Sequence, residues 1–228
     1  MQDKGLLVFD ADDTLWESGL FFRRAADDFV SLLAGLGRDR DEMAALVHRR
    51  DIERLGVTGY GAEPYIDTLE GVLAEVCGEP SAAAERALAD IAATLLIHPI
   101  LPMAGVIATL DELRRRGHRM VVWTMGQEGH QSDKLARCGF ADRFEREFIV
   151  ARKGAEALAS ALADMAVAPA DATVIGNSPR SDINPALAVG ARAIWIPDHN
   201  PWAADHQILA RPEAVTKLRA FPELLDVL

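Results

Sequence analysis

The chain has 228 residues, half of them hydrophobic and 26% charged, with a formal net charge of −11; that is an ordinary globular composition and carries no basic footprint for nucleic acid or an anionic membrane. Its length allows one large domain or a core with a smaller insert. No apolar stretch approaches the roughly 20 residues needed to cross a bilayer, the first motif arrives too early to leave room for a signal peptide, and Cys77 and Cys138 are far apart without metal-ligand spacing, so a cytoplasmic protein is expected.

The first element is the apolar run Leu6-Leu7-Val8-Phe9, which suits a buried parallel strand and ends abruptly in Asp10-Ala11-Asp12-Asp13-Thr14. Two acids placed just past the carboxyl end of such a strand lie where open α/β sheets bind ligands. Burying both is costly unless a cation or a protonation shift relieves them. Asp13 is expected only to shape the turn.

From Phe22 the pattern becomes helical, with Phe22, Ala25, Ala26, Phe29, Val30 and Leu33 on one stripe and Gly35 and Gly37 at its end. A second helix is expected from about Asp41 to Leu55, then a glycine-rich loop, Gly56-Val57-Thr58-Gly59-Tyr60-Gly61. Pro64 opens a third helix, closed by Gly78, and Ser81 is a plausible N-cap for a fourth. Four helices without an intervening strand imply a small bundle. The glycine-rich segment reads equally as a specificity loop or a plain connection, and Arg49, Arg50 and Tyr60 are its neighbourhood's candidates for substrate contact.

After His98-Pro99 the pattern alternates. A helix is expected over Met103–Arg116, its triple arginine complementing the C-terminal dipole, followed by a strand at Met120–Trp123 ending in Thr124 and a turn at Gly126. Next come a helix over Gln131–Arg137, a short strand Phe148–Val150 leading to Lys153, and a helix Ala155–Asp164. A strand Thr173–Ile175 runs into Gly176-Asn177-Ser178, a helix passes through Ala186–Val189, and Ala193–Ile196 is the last clear strand. Alternation of this kind implies a doubly wound parallel α/β sheet, Rossmann-like, built from residues 1–16 and 100–228, with residues 17–99 inserted as a helical bundle.

Asp10, Asp12, Thr124, Lys153, Asn177 and Asp182 thus gather at the carboxyl ends of the strands. Taken singly each has a plain structural reading: an acidic turn, a strand-terminal threonine, a solvated lysine, a helix cap. The six histidines show no ligand spacing, and no Ser or Cys triad is visible.

Taken together, Phe9-Asp10-Ala11-Asp12-Asp13-Thr14-Leu15, Val122-Trp123-Thr124-Met125-Gly126, Lys153 and Ile175-Gly176-Asn177-Ser178 with Asp182 resemble the haloacid dehalogenase-like hydrolase superfamily, in its phosphatase form. The resemblance covers residues 5–16 and 100–200, and it implies that the bundle at residues 17–99 is a helical cap over the site, with hinges near 17–20 and 97–101. It implies a phosphatase acting on a small phosphorylated metabolite, with Asp10 as nucleophile forming an aspartyl-phosphate and Asp12 as the proton carrier. It implies that Asp12 starts protonated, with its pKa above that of a free Asp. Thr124, Gly126 and Lys153 would bind the phosphoryl group. Mg²⁺ would be held by Asp10, the Asp12 carbonyl, Asn177 and Asp182.

One departure stands out, because the family's phosphatases usually carry an acid where this chain has Asn177. Three readings stay open: Asp182 supplies the missing charge directly or through water, the metal binds weakly, or catalysis is lost. Two further alternatives follow, a 2-haloacid dehalogenase or a catalytically silent binding protein. Dehalogenase chemistry attacks carbon and needs no acid two residues past the nucleophile, so Asp12 argues against it. The joint presence of Asp10, Asp12, Thr124 and Lys153 argues against decay.

Overall fold

The computed structural model describes residues 5–199 and 207–228; residues 1–4 and 200–206 of the expected core lie outside them. The chain divides into two compact units, Met1–Glu17 with Ile100–Leu228, and Ser18–Pro99. Among the described residues no helix is long and apolar enough to cross a membrane.

Among the described residues the first unit is built on six strands: β1 (Leu6–Phe9), β2 (Arg119–Met125), β3 (Arg146–Val150), β4 (Ala172–Gly176), β5 (Arg192–Trp195) and β6 (Val215–Lys217). They pair in parallel in the order β3-β2-β1-β4-β5-β6. Side chains alternate across a strand, so each short apolar run serves two cores. Leu7, Phe9, Met120, Val122, Ile175 and Ile194 face one core together with Leu110, Leu113, Leu135 and Phe221. Leu6, Val8, Val121, Trp123, Val174 and Ala193 face another with Leu158, Leu162, Ala186 and Leu187. Helices therefore cover both faces, which is why the strands read as continuous hydrophobic runs rather than alternating ones.

The second unit holds α1 (Gly19–Gly35), α2 (Arg40–Thr58), α3 (Ala62–Cys77) and α4 (Ala82–Leu96) around one core that includes Phe29, Leu33, Leu69, Val72 and Leu88. Asp39 caps α2 through the amides of Asp41 and Glu42, and the Ser81 hydroxyl accepts from the Ala84 amide to cap α4. The glycine-rich loop is shorter than its composition suggests. Residues 56–58 continue α2, and the break comes at Gly59 and Gly61, whose φ values of 85° and 130° favour glycine. Arg50 is bound to Glu75 and Glu53, so it ties α2 to α3.

Back in the first unit, α5 (Val106–Arg115), α6 (Glu128–Arg137), α7 (Ala155–Asp164), α8 (Asn184–Val189) and α9 (Leu224–Val227) complete the order. Arg115 and Arg116 both pair with Glu112 near the end of α5, in keeping with a capped helix end. Strand β6 is the element that sequence reading passes over. It is three residues long and lies at the sheet edge beside β5, too short to show a period.

Candidate active site

β1 sits between β2 and β4, so the strand order reverses beside it, and ligands of open α/β sheets bind at such a switch point. Phe9 pairs with Val122 on one side and Ile175 on the other. The Asp10 amide continues the ladder by donating to Ile175 O at 2.9 Å. The next turn is tight: Leu15 N donates to Ala11 O at 2.8 Å and Asp13 N to Trp16 O at 2.8 Å. Asp13 takes a φ of 60°, a conformation Asp tolerates better than most residues, which matches its expected role as a turn former.

Asp10, Lys153 and Asp182 form one buried group. Lys153 Nζ donates to Asp10 Oδ1 at 2.5 Å and to Asp182 Oδ1 at 2.6 Å, and it lies 4.7 Å from the Trp123 ring centroid. Asp182 Oδ2 accepts from the Ser178 amide at 2.9 Å. A wide helical turn, Pro179–Ile183, produces this arrangement, with the Ser178 hydroxyl accepting from Ser181 N. Asp182 is therefore a brace for Lys153 and for the loop after β4, rather than the helix cap that sequence alone allows. Asp10 Oδ2 is buried and has no hydrogen-bond partner. Desolvation, reinforced by the charge of Asp182, outweighs the pull of Lys153 and pushes the Asp10 carboxyl up to about 7. Lys153 is raised: burial would lower it, and its two carboxylate partners overcome that.

Asp12 sits in a second group. Its Oδ1 accepts from Trp16 Nε1 at 2.8 Å and from the Lys134 ammonium, and its Oδ2 accepts from Gln131 Nε2 at 2.8 Å. Desolvation alone would raise this carboxyl, yet the Lys134 charge and the three hydrogen-bond donors outweigh it and hold it down to about 2. This corrects the expectation that Asp12 rests protonated. The cause is Lys134, a cation that the residue pattern around Asp12 does not announce.

Gln131 also donates to Thr124 Oγ1 at 3.0 Å and to Met125 O at 2.9 Å, so it joins Asp12 to the end of β2. Gly126, at φ 150°, approaches Gln131 closely enough that an added Cβ would lie 3.1 Å from its Cγ. Asn177 Oδ1 is 3.5 Å from the Thr14 hydroxyl, and its carbonyl accepts from Trp195 Nε1 at 2.8 Å. The expected residues thus fall into two connected sets, Asp10–Lys153–Asp182 and Asp12–Gln131–Thr124, with Asn177 on the neighbouring loop. Gln131, Lys134 and Trp16 were not singled out by the residue pattern. A signal was available: Gln131, Lys134, Leu135 and Cys138 follow the i, i+3, i+4, i+7 spacing of a buried stripe, and two of those four are polar.

Among the described residues no three His, Cys, Asp or Glu side chains converge as a metal cage. Mg²⁺ seldom uses such a cage; it keeps waters and takes one or two carboxylates plus substrate oxygens. The donors that remain are hard oxygens of that kind: the orphaned Asp10 Oδ2, the Asp12 main-chain carbonyl and the Asn177 amide oxygen. Two carboxylates sharing one ammonium also leave an uncompensated negative charge in the buried group. The residues fit a divalent cation.

A segment of 104 residues is 32% identical to the phosphoserine phosphatase of Thermus thermophilus, and the match spans 43% of this chain and 41% of that relative's length. Over 99% of its length the chain superimposes on the crystal structure of a haloacid dehalogenase-like family hydrolase from Xanthomonas campestris, covering 91% of that chain with a TM-score of 0.82 at 26% identity. A 2-haloacid dehalogenase from Pseudomonas syringae shares the fold, with a TM-score of 0.56 at 23% identity over 98% of this chain and 97% of that one. The family model for haloacid dehalogenase-like hydrolases matches residues 5–190, the stretch holding both carboxylate groups, and on that match the chain belongs to the haloacid dehalogenase-like hydrolase family.

Proposed function

We propose that this hydrolase is a Mg²⁺-dependent phosphatase of small phosphorylated metabolites that works through an aspartyl-phosphate on Asp10. The observation that carries the reading is the Asp10 carboxylate: one oxygen is fixed by Lys153 at 2.5 Å, while the other is buried and unpaired. A nucleophile for phosphorus needs that combination of fixed orientation and an unengaged oxygen.

In the first step an Asp10 oxygen bonds to phosphorus as the bond to the substrate alkoxide breaks, and Asp12 gives its proton to the departing oxygen. In the second, water attacks the aspartyl-phosphate and returns a proton to Asp12, releasing inorganic phosphate and restoring Asp10. The Asp10 oxygen that does not attack, the Asp12 carbonyl and Asn177 Oδ1 would hold Mg²⁺, which would neutralise phosphoryl charge when bound. Lys153 and the Thr124 hydroxyl would hold phosphoryl oxygens. Asp182 supplies its charge to the site through Lys153.

Asp12 rests ionised beside Lys134, so its proton has to be gained in the substrate complex. A phosphate arriving beside it is a like charge, which raises a carboxyl's proton affinity. A phosphomonoester whose second pKa is near 6 can itself bring the proton. The ionised resting form is already the right one for accepting a proton from water in the second step.

A dehalogenase would need none of the Asp12 clamp, and its presence favours the phosphatase. The residues 18–99 unit would act as the cap that sets substrate choice. The deciding experiment is phosphate release from a panel of phosphorylated metabolites, with Mg²⁺ and with chelator, for wild type and Asp10→Asn. Turnover that requires Mg²⁺ and Asp10 is expected; metal-independent turnover, or activity surviving in Asp10→Asn, overturns the reading.

A further inference from the structure

We infer that Gln131 and Lys134 are positioning residues that fix which oxygen of Asp12 carries the proton and which way the Thr124 hydroxyl points. Resting on the phosphatase reading, this assigns to α6 a task in the chemistry that goes beyond lining the sheet.

Both residues are almost completely buried, at 3% and 2% exposure, on the inward stripe of α6. A buried lysine is rare without a partner. The partner here is Asp12, with the Lys134 ammonium also 5.7 Å from the Trp16 ring centroid. Each carboxylate oxygen has two lone pairs in its plane. At Asp12 Oδ1 both are taken, one by the Trp16 indole N–H and one by Lys134. At Oδ2 a single donor, Gln131 Nε2, is present, which leaves one lone pair open. Oδ2 is therefore the oxygen that takes and gives the proton, and Oδ1 is the anchor.

Gln131 does the same for Thr124. A hydroxyl has one proton and two acceptor sites. Because Gln131 Nε2 already donates to Thr124 Oγ1, the hydroxyl proton is directed elsewhere and is available to a phosphoryl oxygen. The amide divides its two N–H hydrogens among Asp12, Thr124 and Met125, while its own Oε1 is buried without a hydrogen-bond partner. An unsatisfied buried acceptor is destabilising. Gln131 bears that cost in an orientation that serves Asp12 and Thr124 together, as expected of a residue kept for the site.

The test uses the full chain with Mg²⁺ and two probes, a simple alkyl phosphate and p-nitrophenyl phosphate. The nitrophenolate departs without a proton; the alkoxide does not. Lys134→Met is expected to lower kcat/KM, which reports only the steps up to aspartyl-phosphate formation, about 10- to 100-fold on the alkyl ester and less than about threefold on the nitrophenyl ester, and to be partly rescued in Lys134→Arg. Gln131→Leu should show the same leaving-group split and also raise KM on both esters, because Thr124 loses its orientation.

The ¹H–¹⁵N resonance of the Trp16 indole, identified with Trp16→Phe, gives a readout that needs no turnover. It should move in Lys134→Met and return towards the wild-type position in Lys134→Arg. Equal losses of kcat/KM on the two esters without rescue by arginine would mean a merely structural role and overturn the inference, as would kcat/KM within about twofold of wild type on both. Wild type inactive on every phosphate ester would instead sink the phosphatase reading, and the indole resonance would still report whether Lys134 holds Asp12.

Discussion

Lys153 Nζ lies 2.5 Å from Asp10 and 2.6 Å from Asp182, so a single ammonium serves two buried carboxylates contributed by loops 172 positions apart in the chain. Asp182 fixes Lys153 and the Ser178 amide, while its charge leaves the group one cation short. Asp182→Asn keeps the shape but withdraws a charge from Lys153 and sets an amide against the Ser178 N–H. We expect a loss of about 1–2 kcal/mol in folding stability from the weakened hydrogen bonds, read as a lowered urea midpoint at unchanged slope, together with reduced kcat. A midpoint equal to wild type would show that Asp182 is not the brace described here.

The loop after β4 makes a related demand on Gly176. A Cβ at that position would run into the Asp182 carboxylate, which cannot retreat without releasing Lys153. Gly176→Ala is expected to destabilise by about 1–3 kcal/mol. Gly129 is a contrasting position on α6, where an added Cβ meets nothing within 4 Å, and Gly129→Ala should stabilise by about 0.5–1 kcal/mol. Thermal unfolding of the two variants side by side checks both signs, and a destabilised Gly129→Ala would contradict the packing described for that helix.

These cases show where the residue pattern carries information and where it does not. Leu6–Phe9, Val121–Trp123 and Thr173–Ile175 are buried on both sides of a parallel sheet, and such runs announce themselves. The acids at their ends are legible because an Asp after a buried strand has few other reasons to be there. β6 has three residues and one neighbour, which gives no period to read. Residues 56–58 look like a loop by composition but continue α2, where helix context overrides a modest glycine penalty. The Asp12–Lys134 pair is 122 residues apart in sequence, so the direction of the Asp12 shift depends on a contact that no local pattern encodes.

The elevated Asp10 carboxyl predicts a pH-dependent response to metal. Its pKa of about 7 lies above the ordinary carboxylate value of 3.8, so without a cation the folded chain binds the extra proton and loses stability as pH rises from about 4 to about 7. Mg²⁺ needs the ionised carboxylate and must displace that proton below neutrality. The rise in Tm on adding Mg²⁺ should therefore be small at pH 6 and larger at pH 8, with proton release on binding at the lower pH. In Asp10→Asn the Mg²⁺ response should be weak at both. Equal Tm shifts at pH 6 and pH 8 in the wild type would rule out Asp10 as the titrating ligand.

Asn177 supplies an oxygen but no charge at the position where the family's phosphatases usually carry an acid. Its amide oxygen is 3.5 Å from the Thr14 hydroxyl and its main chain is held by Trp195, so the side chain is placed by the loop, and a carboxylate of nearly the same shape can take its place. One added negative charge about 4 Å from a divalent cation brings about 8 kcal/mol of Coulomb attraction at an effective dielectric near 20, most of which is offset by the cost of desolvating the charges. Asn177→Asp is thus expected to lower the activating Mg²⁺ concentration by about tenfold or more while leaving turnover at saturating Mg²⁺ within the same range. It also adds a like charge to a site already short of cations, so in the absence of Mg²⁺ the variant should unfold at a lower temperature than wild type and recover when Mg²⁺ is added. A magnesium titration of phosphate release, run beside thermal unfolding with and without the metal, separates the two effects. An unchanged activating concentration would place Asn177 outside the metal's reach and leave Asp10 and the Asp12 carbonyl as the protein's ligands.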